Sequence, residues 1–559
     1  MMYPGEDVAD VNAYEAFGTR LSENLPLSLG YFADDEIERR RQRGLPLPPS
    51  TLWVASNMRR PFALVSNAIA SMRTLRGGHL GAKVQRHLGR ERFAGLRLMT
   101  TGSIPQGGFS SSSAVTVAVK NAINALFDLG IPPDLLVHLA SQAEYGTGVR
   151  AGSLDQATEQ KGQAGRGTLI SSNPADNYRI LGTYPVPTER FVIIFPYSVE
   201  RDRQAWRWSW GAYAEAVVEG GRLTAGEFRK MTGKAAEIAA ILTHLPLDTS
   251  FFNLIEKDLL ATGTLGRESR ALICQTLRQL PLLIGREALR EQLMAHRGWY
   301  AGQLRENQHL DSAAANARAA ATIESFFAGW REPRLRRGDA EETGVPLRAM
   351  VAYLFGEVAK NFRLIHHPEQ WIACVTLSQR GDCCADIDPG RLPTRGELEQ
   401  ELNWERGTAG PQRLDLWMLR CGARPFDYNL GLDDAILSPE DPPDFAALAG
   451  SNFFRGLALI DLGEAMLKRA FGADAVAVRV NAAGQGDYFQ VHVDRRLADP
   501  QDVKRFLRAA FYRRFGLSPS PEFVELYPGG GATALWLSRY DSLPALIGRL
   551  RSGGAPQTG

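Results

Sequence analysis

The sequence predicts an α+β protein with an antiparallel sheet in its C-terminal part. Three observations carry that prediction. A glycine- and serine-rich turn after Thr101 runs straight into an apolar helix, helical periodicity covers most of residues 210–460, and alternating strand patterns interleave with a helix beyond residue 474. At 559 residues the chain is several times one ordinary domain, so two domains with a sizeable insertion are expected.

Residues 1 to about 100 read as mixed structure, broken by the Pro-rich LPLPPS that follows an Arg-rich surface stretch at 36–44. The run Ala114, Val115, Val117, Ala118, Ala122, Ile123, Leu126 and Phe127 is apolar on nearly every face, which predicts a buried helix opening at the serine cluster. A second helix is expected from Asp134 to Glu144, then a glycine-bearing loop containing Asp155, then a strand at Phe191–Phe195. In the tail, Ala475–Val480 and Tyr488–Val493 pair as strands across AAGQGD, and a helix follows at about 500–515. Strands at Phe523–Tyr527 and Ala532–Leu537 flank the turn Gly529, Gly530, Gly531.

Composition sets the outer limits. With 44% hydrophobic and 23% charged residues the chain is a folded protein, and a net charge of +2 provides no field for drawing in nucleic acid or an anionic membrane. No apolar run approaches the ~18 residues that span a bilayer, and the N-terminus has no apolar signal core. The five cysteines are too few and too irregular for a disulfide framework or a zinc site, which fits a reducing cytoplasm.

The chemistry concentrates in TTGSIPQGGFSSSSAV. A glycine turn feeding a helix N-terminus directs unpaired backbone N–H groups and the positive end of the helix dipole at one point, which suits an anion. Gly107 and Gly108 supply the turn, and the hydroxyls of Ser110, Ser111, Ser112 and Ser113 add donors and oxygen ligands for magnesium. A serine-capped helix after an ordinary loop is the other reading of the same residues. Neither the lysine-bearing P-loop pattern nor a Rossmann fingerprint is present. About forty residues on, Glu144 stands at a helix end and Asp155 in a glycine-rich loop. Phosphoryl transfer needs a base or orienting carboxylate, a metal bridge and donors around the transferred group, and these residues nominate all three.

The stretch IPQGGFSSSSAV resembles the phosphate-binding motif of the GHMP kinases, usually written P-x-x-x-G-L-S-S-S-A-A. AEYGTGVRAGSLDQAT is similar to the galactokinase segment that ends in G-x-x-D-Q, and the YPGGGATALWL stretch at 527–537 looks like a shortened third motif of the family. The resemblance implies a two-domain fold: an N-terminal nucleotide-binding domain at 1–210, and a C-terminal domain at 211–559 that includes a helical expansion at about 211–460. It further implies that Pro105, Gly107, Gly108, Ser110, Ser111, Ser112 and Ser113 hold ATP, braced by Gly529, Gly530 and Gly531. Ser112, Ser113 and Glu144 would hold Mg2+, and Asp155 would be the catalytic carboxylate. The expected activity is ATP-dependent phosphorylation of a hydroxyl of a monosaccharide or sugar derivative.

Two departures favour another function. Phe109 stands where the family has glycine or leucine, and the family's first motif has no close match near the Pro4, Gly5, Glu6 start. They admit a kinase-like regulatory protein that binds sugar and nucleotide without transfer.

Overall fold

In a computed structural model the described residues are 63–98 (except 90, 94 and 97), 110–145, 153–171, 177–196, 249–302 (except 296, 299 and 300), 311–328, 334–344 (except 338 and 339), 347–401 (except 384), 412–425 (except 413), 437–438, 444–450, 458–481, 488–517 and 523–534. They form a helix-rich α+β structure with antiparallel sheets. No helix among them is long and apolar enough to cross a membrane.

Five helices build the first layer: α1 (Ala63–Met72), α2 (Gly78–Leu88), α3 (Ser111–Leu126), α4 (Pro133–Tyr145) and α5 (Leu154–Lys161). Val65, Ile69, Met72, Val84, Leu88, Val119, Ile123, Leu136 and Leu139 form the shared core of α1–α4, while α5 packs through Ala157 against Val137 and Tyr178. The expected burial of α3 on nearly every face is not what forms. Ser113, Thr116, Val117, Lys120 and Ile123 are buried at spacings of three and four, while Leu126 is 49% exposed. With Val119 the buried residues of α3 number six, three of them polar, so α3 carries donors and acceptors inward together with its apolar side chains. Lys120 lies wholly inside and its Nζ donates to the Ala68 carbonyl at 2.8 Å and to Ser71 Oγ, tying α3 to α1. Burial holds this ammonium well below the usual lysine range.

Antiparallel strands β1 (Arg166–Ile170) and β2 (Ile180–Pro185) follow, then β3 (Phe191–Phe195). The segment FVIIF has no polar face, which suits a strand covered on both sides. β3 joins a four-stranded antiparallel sheet whose other members lie some 300 residues away in the chain. The middle of the chain supplies α6 (Thr249–Thr262), α7 (Arg267–Gln279), α8 (Arg286–Ala295), α9 (Ser312–Ala328), the hairpin β4 (Arg334–Arg337) and β5 (Ala340–Thr343), and then α10 (Leu347–His366) and α11 (Trp371–Asp382). Next come β6 (Ala385–Asp386), α12 (Arg395–Glu401), α13 (Leu414–Arg420), β7 (Arg424–Pro425) and α14 (Ala458–Phe471). The sequence around REPRLRRGD, read as a break between helices, makes this hairpin, with Arg336 in register with Glu341 and Leu335 with Glu342. The short 3-10 segment Phe445–Gly450 packs on α10 so closely that a Cβ on Gly356 would lie 1.9 Å from the Ala449 nitrogen; only glycine fits.

The tail matches its strand pattern. β8 (Val476–Asn481) and β9 (Tyr488–Asp494) pair with Val478 opposite Val491. The helix α15 (Pro500–Phe506) then widens into π-helical turns over Leu507–Arg513, and β10 (Val524–Leu526) completes the sheet in the order β10-β3-β9-β8. Period-2 alternation sorts the residues: Val476, Val478 and Val480 face one core with Leu462, Met466 and Phe511, while Ala477 faces another with Trp371 and Cys374. On the second side Trp371 Nε1 donates to His492 Nδ1 at 2.9 Å, and burial pushes that imidazole down to about 3. Ala532–Ala534 is not a strand, contrary to expectation. Its backbone bonds to α5 and the turn after it instead, with Ala532 N–H donating to the Glu159 carbonyl at 2.6 Å.

Candidate active site

Ser110 enters α3 with φ 50° and ψ 36°, a left-handed conformation uncommon for a residue with a side chain. Its hydroxyl makes no capping bond. The serine-cap reading of the cluster is therefore not what forms, and the first-turn N–H groups of α3 have no side-chain cap from Ser110. Pro105, Gly107 and Gly108, together with Phe109, lie outside the described residues.

The serines meet two other helices here. Glu144, at the C-terminal end of α4, is buried; it is hydrogen-bonded by Ser112, and Gln156 Nε2 donates to its Oε2 at 2.5 Å. Burial raises the Glu144 carboxyl and the Asp155 charge adds to this, while the Ser112 and Gln156 bonds oppose it; the net shift is upward. Asp155 does not sit in a loop as expected. It occupies the first turn of α5, where Ser153 takes the N-cap position and a carboxylate complements the helix dipole. Half-buried there, it forms no hydrogen bond or ion pair with any described residue.

One turn later on the same face stands Glu159, which the sequence reading did not single out. Its Oε1 is 2.9 Å from Ser113 Oγ, and Ser113 Oγ is also 2.6 Å from the Ser110 carbonyl. A hydroxyl has one proton to give, so Ser113 Oγ shares it as donor between the Ser110 carbonyl and Glu159 Oε1. Burial first, then the charges of Asp155 and Glu144, push Glu159 up to about 8 against the opposing Ser113 bond. Its other oxygen, Oε2, and Gln156 Oε1 are buried without a partner. Asn121 on α3 and Gln160 on α5 exchange amide bonds of 2.7 and 3.3 Å, fixing the two helices against each other.

The glycine turn arrives from the far end of the chain. Gly531 N–H donates to the Gly162 carbonyl at 2.7 Å and Gly165 N–H to the Pro528 carbonyl at 3.0 Å. A Cβ on Gly531 would stand 2.5 Å from the Gln160 carbonyl oxygen, so the approach depends on glycine. Gly529 and Gly530 are carried in the same turn. The structure thus brings Ser110–Ser113, Glu144, Asp155 and Gly529–Gly531 to one neighbourhood around α5.

The residues fit a magnesium ion. Their ligating atoms are carboxylate and hydroxyl oxygens, the orphaned Glu159 Oε2 accepts a cation, and this metal binds through one or two carboxylates plus substrate phosphates. Of the proposed ligands Ser112 and Glu144 touch, whereas Ser113 turns to Glu159. Among the described residues no three His, Cys, Asp or Glu side chains come together as a preformed metal set. Two carboxylates with hydroxyls and incoming phosphates are what remains for the ion.

Residues 77–162 match the family model described as GHMP kinases N terminal domain. This segment is a GHMP-kinase N-terminal domain. It carries the serine cluster, Glu144, Asp155 and Glu159, and thus most of the site. The chain is 34% identical over 94 residues to galactokinases of Lacticaseibacillus casei and of Lacticaseibacillus casei strain BL23, and equally to a galactokinase of Lacticaseibacillus paracasei. The match covers 16% of this chain and spans 24% of each of those galactokinases. No solved structure gives a significant match.

Proposed function

We propose that this chain is an ATP- and magnesium-dependent kinase that transfers the γ-phosphoryl group to a hydroxyl of a monosaccharide or sugar derivative. The observation that carries the reading is that the charges of Glu144, Asp155 and Glu159 act on one another beside the serine-lined head of α3, which Ser110 does not cap, inside a segment that matches the GHMP-kinase N-terminal domain. Gly107, Gly108 and Ser110–Ser113 bind the nucleotide phosphates, with Pro105 shaping the loop. The α3 N–H groups and dipole hold the negative charge. Glu144 and Glu159, with Ser112 and Ser113, hold magnesium, which when bound neutralises phosphate charge.

Asp155 has no hydrogen-bond or ion-pair partner among the described residues, and it orients the acceptor hydroxyl and receives its proton as phosphorus–oxygen bond formation proceeds. Gly529–Gly531 closes the cluster from the C-terminal side. Two domains divided near residue 210 fit this arrangement, with β3 crossing into the C-terminal sheet, and a cytoplasmic setting fits the ATP requirement.

A panel of sugars assayed by coupled ADP release tests the proposal. ADP formed with at least one sugar, and dependent on magnesium, is the expected result. Thermal stabilisation by sugar and nucleotide with no ADP from any sugar would instead identify the regulatory protein that the diverged first motif permits.

A further inference from the structure

A second charged cavity lies away from the serine and acid cluster. Arg73 and Arg76 of the turn after α1, Arg86 of α2 and Arg92 of the turn after α2 line it, together with Gln85 and Glu91. Its volume is about 600 Å³, within the range of small-molecule sites. Four guanidinium groups against one carboxylate leave the lining with a net charge of +3. Arg73 is buried and fixed: its Nε donates to the Leu88 carbonyl at 2.5 Å and its guanidinium lies 5.0 Å from the Phe93 ring centre. Arg76, Arg86 and Arg92 are exposed and form no ion pair with any described residue. Gln85 is already committed, since its Nε2 donates to the carbonyls of Arg73 and Leu75.

The location is separate from the proposed transfer site. α2 reaches past the C-terminal end of α3, where Lys83 Nζ donates to the Asp128 carbonyl, whereas Ser113 sits at the other end of that 16-residue helix, about 20 Å away by helical rise. Guanidinium forks match phosphate oxygens, and one phosphate group would leave most of the positive charge unanswered. Among the described residues no aromatic ring lines the cavity, which gives no platform there for a nucleobase. A carboxylate, Glu91, stands at its wall, which does not suit an extended nucleic-acid backbone.

We propose that this cavity binds a compact polyanion carrying two or more phosphate groups. Such a ligand bridges the turn after α1 to α2 and its following turn, and stabilises the helical layer by mass action.

Isothermal titration of the full chain with inorganic tripolyphosphate, at constant ionic strength and without magnesium, tests this. Wild type is expected to bind, the R76E/R86E/R92E variant to bind at least ~10-fold more weakly, and S112D, which places negative charge at the other anion site, to retain the affinity. R92E alone, in an exposed turn, is expected to lose ~3-fold or more and serves if the triple variant does not fold. No binding by wild type, affinity unchanged by the arginine reversals, or affinity lost in S112D alone overturns the proposal. Tighter binding of a single-stranded oligonucleotide than of tripolyphosphate overturns it too, in favour of a nucleic-acid surface.

Discussion

Two buried acidic centres in this molecule are built from similar parts and differ in one respect. Between α10, α11 and β8, Glu357 meets Lys360 at 2.7 and 2.8 Å, Ser378 donates to it at 3.1 Å, and Arg479 stands 3.9 Å away. Burial pushes Glu357 up, but the Lys360 and Arg479 charges outweigh it and hold the carboxyl below its usual range. Around α5, Glu144, Asp155 and Glu159 are gathered with hydroxyls and an amide but no lysine or arginine in the contacts described, and both glutamates are raised. The first centre is complete within the chain and acts in stability. The second leaves a buried carboxylate oxygen without a hydrogen-bond partner, and in the proposed function a cation would complete it.

Breaking the complete centre should have the largest effect on folding. K360A strands a largely buried carboxylate and is expected to cost about 3–5 kcal/mol, read from urea unfolding. If the loss is below ~1 kcal/mol, the two centres do not differ in the way described.

The incomplete centre should respond to pH in the opposite sense to a salt-bridged acid. Because the folded carboxyl of Glu159 is raised from 4.5 to about 8, the folded state keeps a proton that the unfolded chain has released in that window. Stability therefore falls as pH rises from 4.5 to about 8. E159Q removes the penalty and still offers an amide oxygen to the Ser113 hydroxyl, so it should melt about 2–5 °C above wild type at pH 8 and level with it near pH 4.5. Melting curves across that range check this. Magnesium with nucleotide should offset the same decline in wild type, and a chelator should restore it; a melting temperature blind to magnesium at pH 8 would count against Glu159 and Glu144 as ligands. The smallest change is expected for S113A, which removes one hydroxyl from Glu159 and Ser110 and should cost about 1 kcal/mol in the same unfolding assay.

Local signals made part of this site readable in the sequence. Glycine and serine ahead of an apolar run mark the head of α3, and the periodicity of 134–144 puts Glu144 at a helix end. Asp155 was found by motif but misplaced in a loop, because LDQATEQK buries only Gln156 and Ala157 and is flanked by glycines, so its helical period is faint. Glu159 went unseen for the same reason: its relation to Asp155 at i and i+4 exists only once α5 is a helix. The tail strands were legible from alternation. The entry of Phe191–Phe195 into their sheet was not, because pairing between strands some 300 residues apart leaves no local trace. The hairpin at 334–343 escaped because its strands, RLRR and AEET, are short and show no regular apolar–polar alternation.

Turnover of the D155N variant, followed by transfer of labelled phosphate from ATP to the best sugar of the panel, bears most directly on the claim that the cluster around α5 performs phosphoryl transfer. The account predicts a loss of about 10²–10⁴-fold in kcat with nucleotide affinity nearly unchanged, because the role proposed for Asp155 is at the acceptor hydroxyl and not at the phosphates. Wild-type turnover in D155N would contradict it.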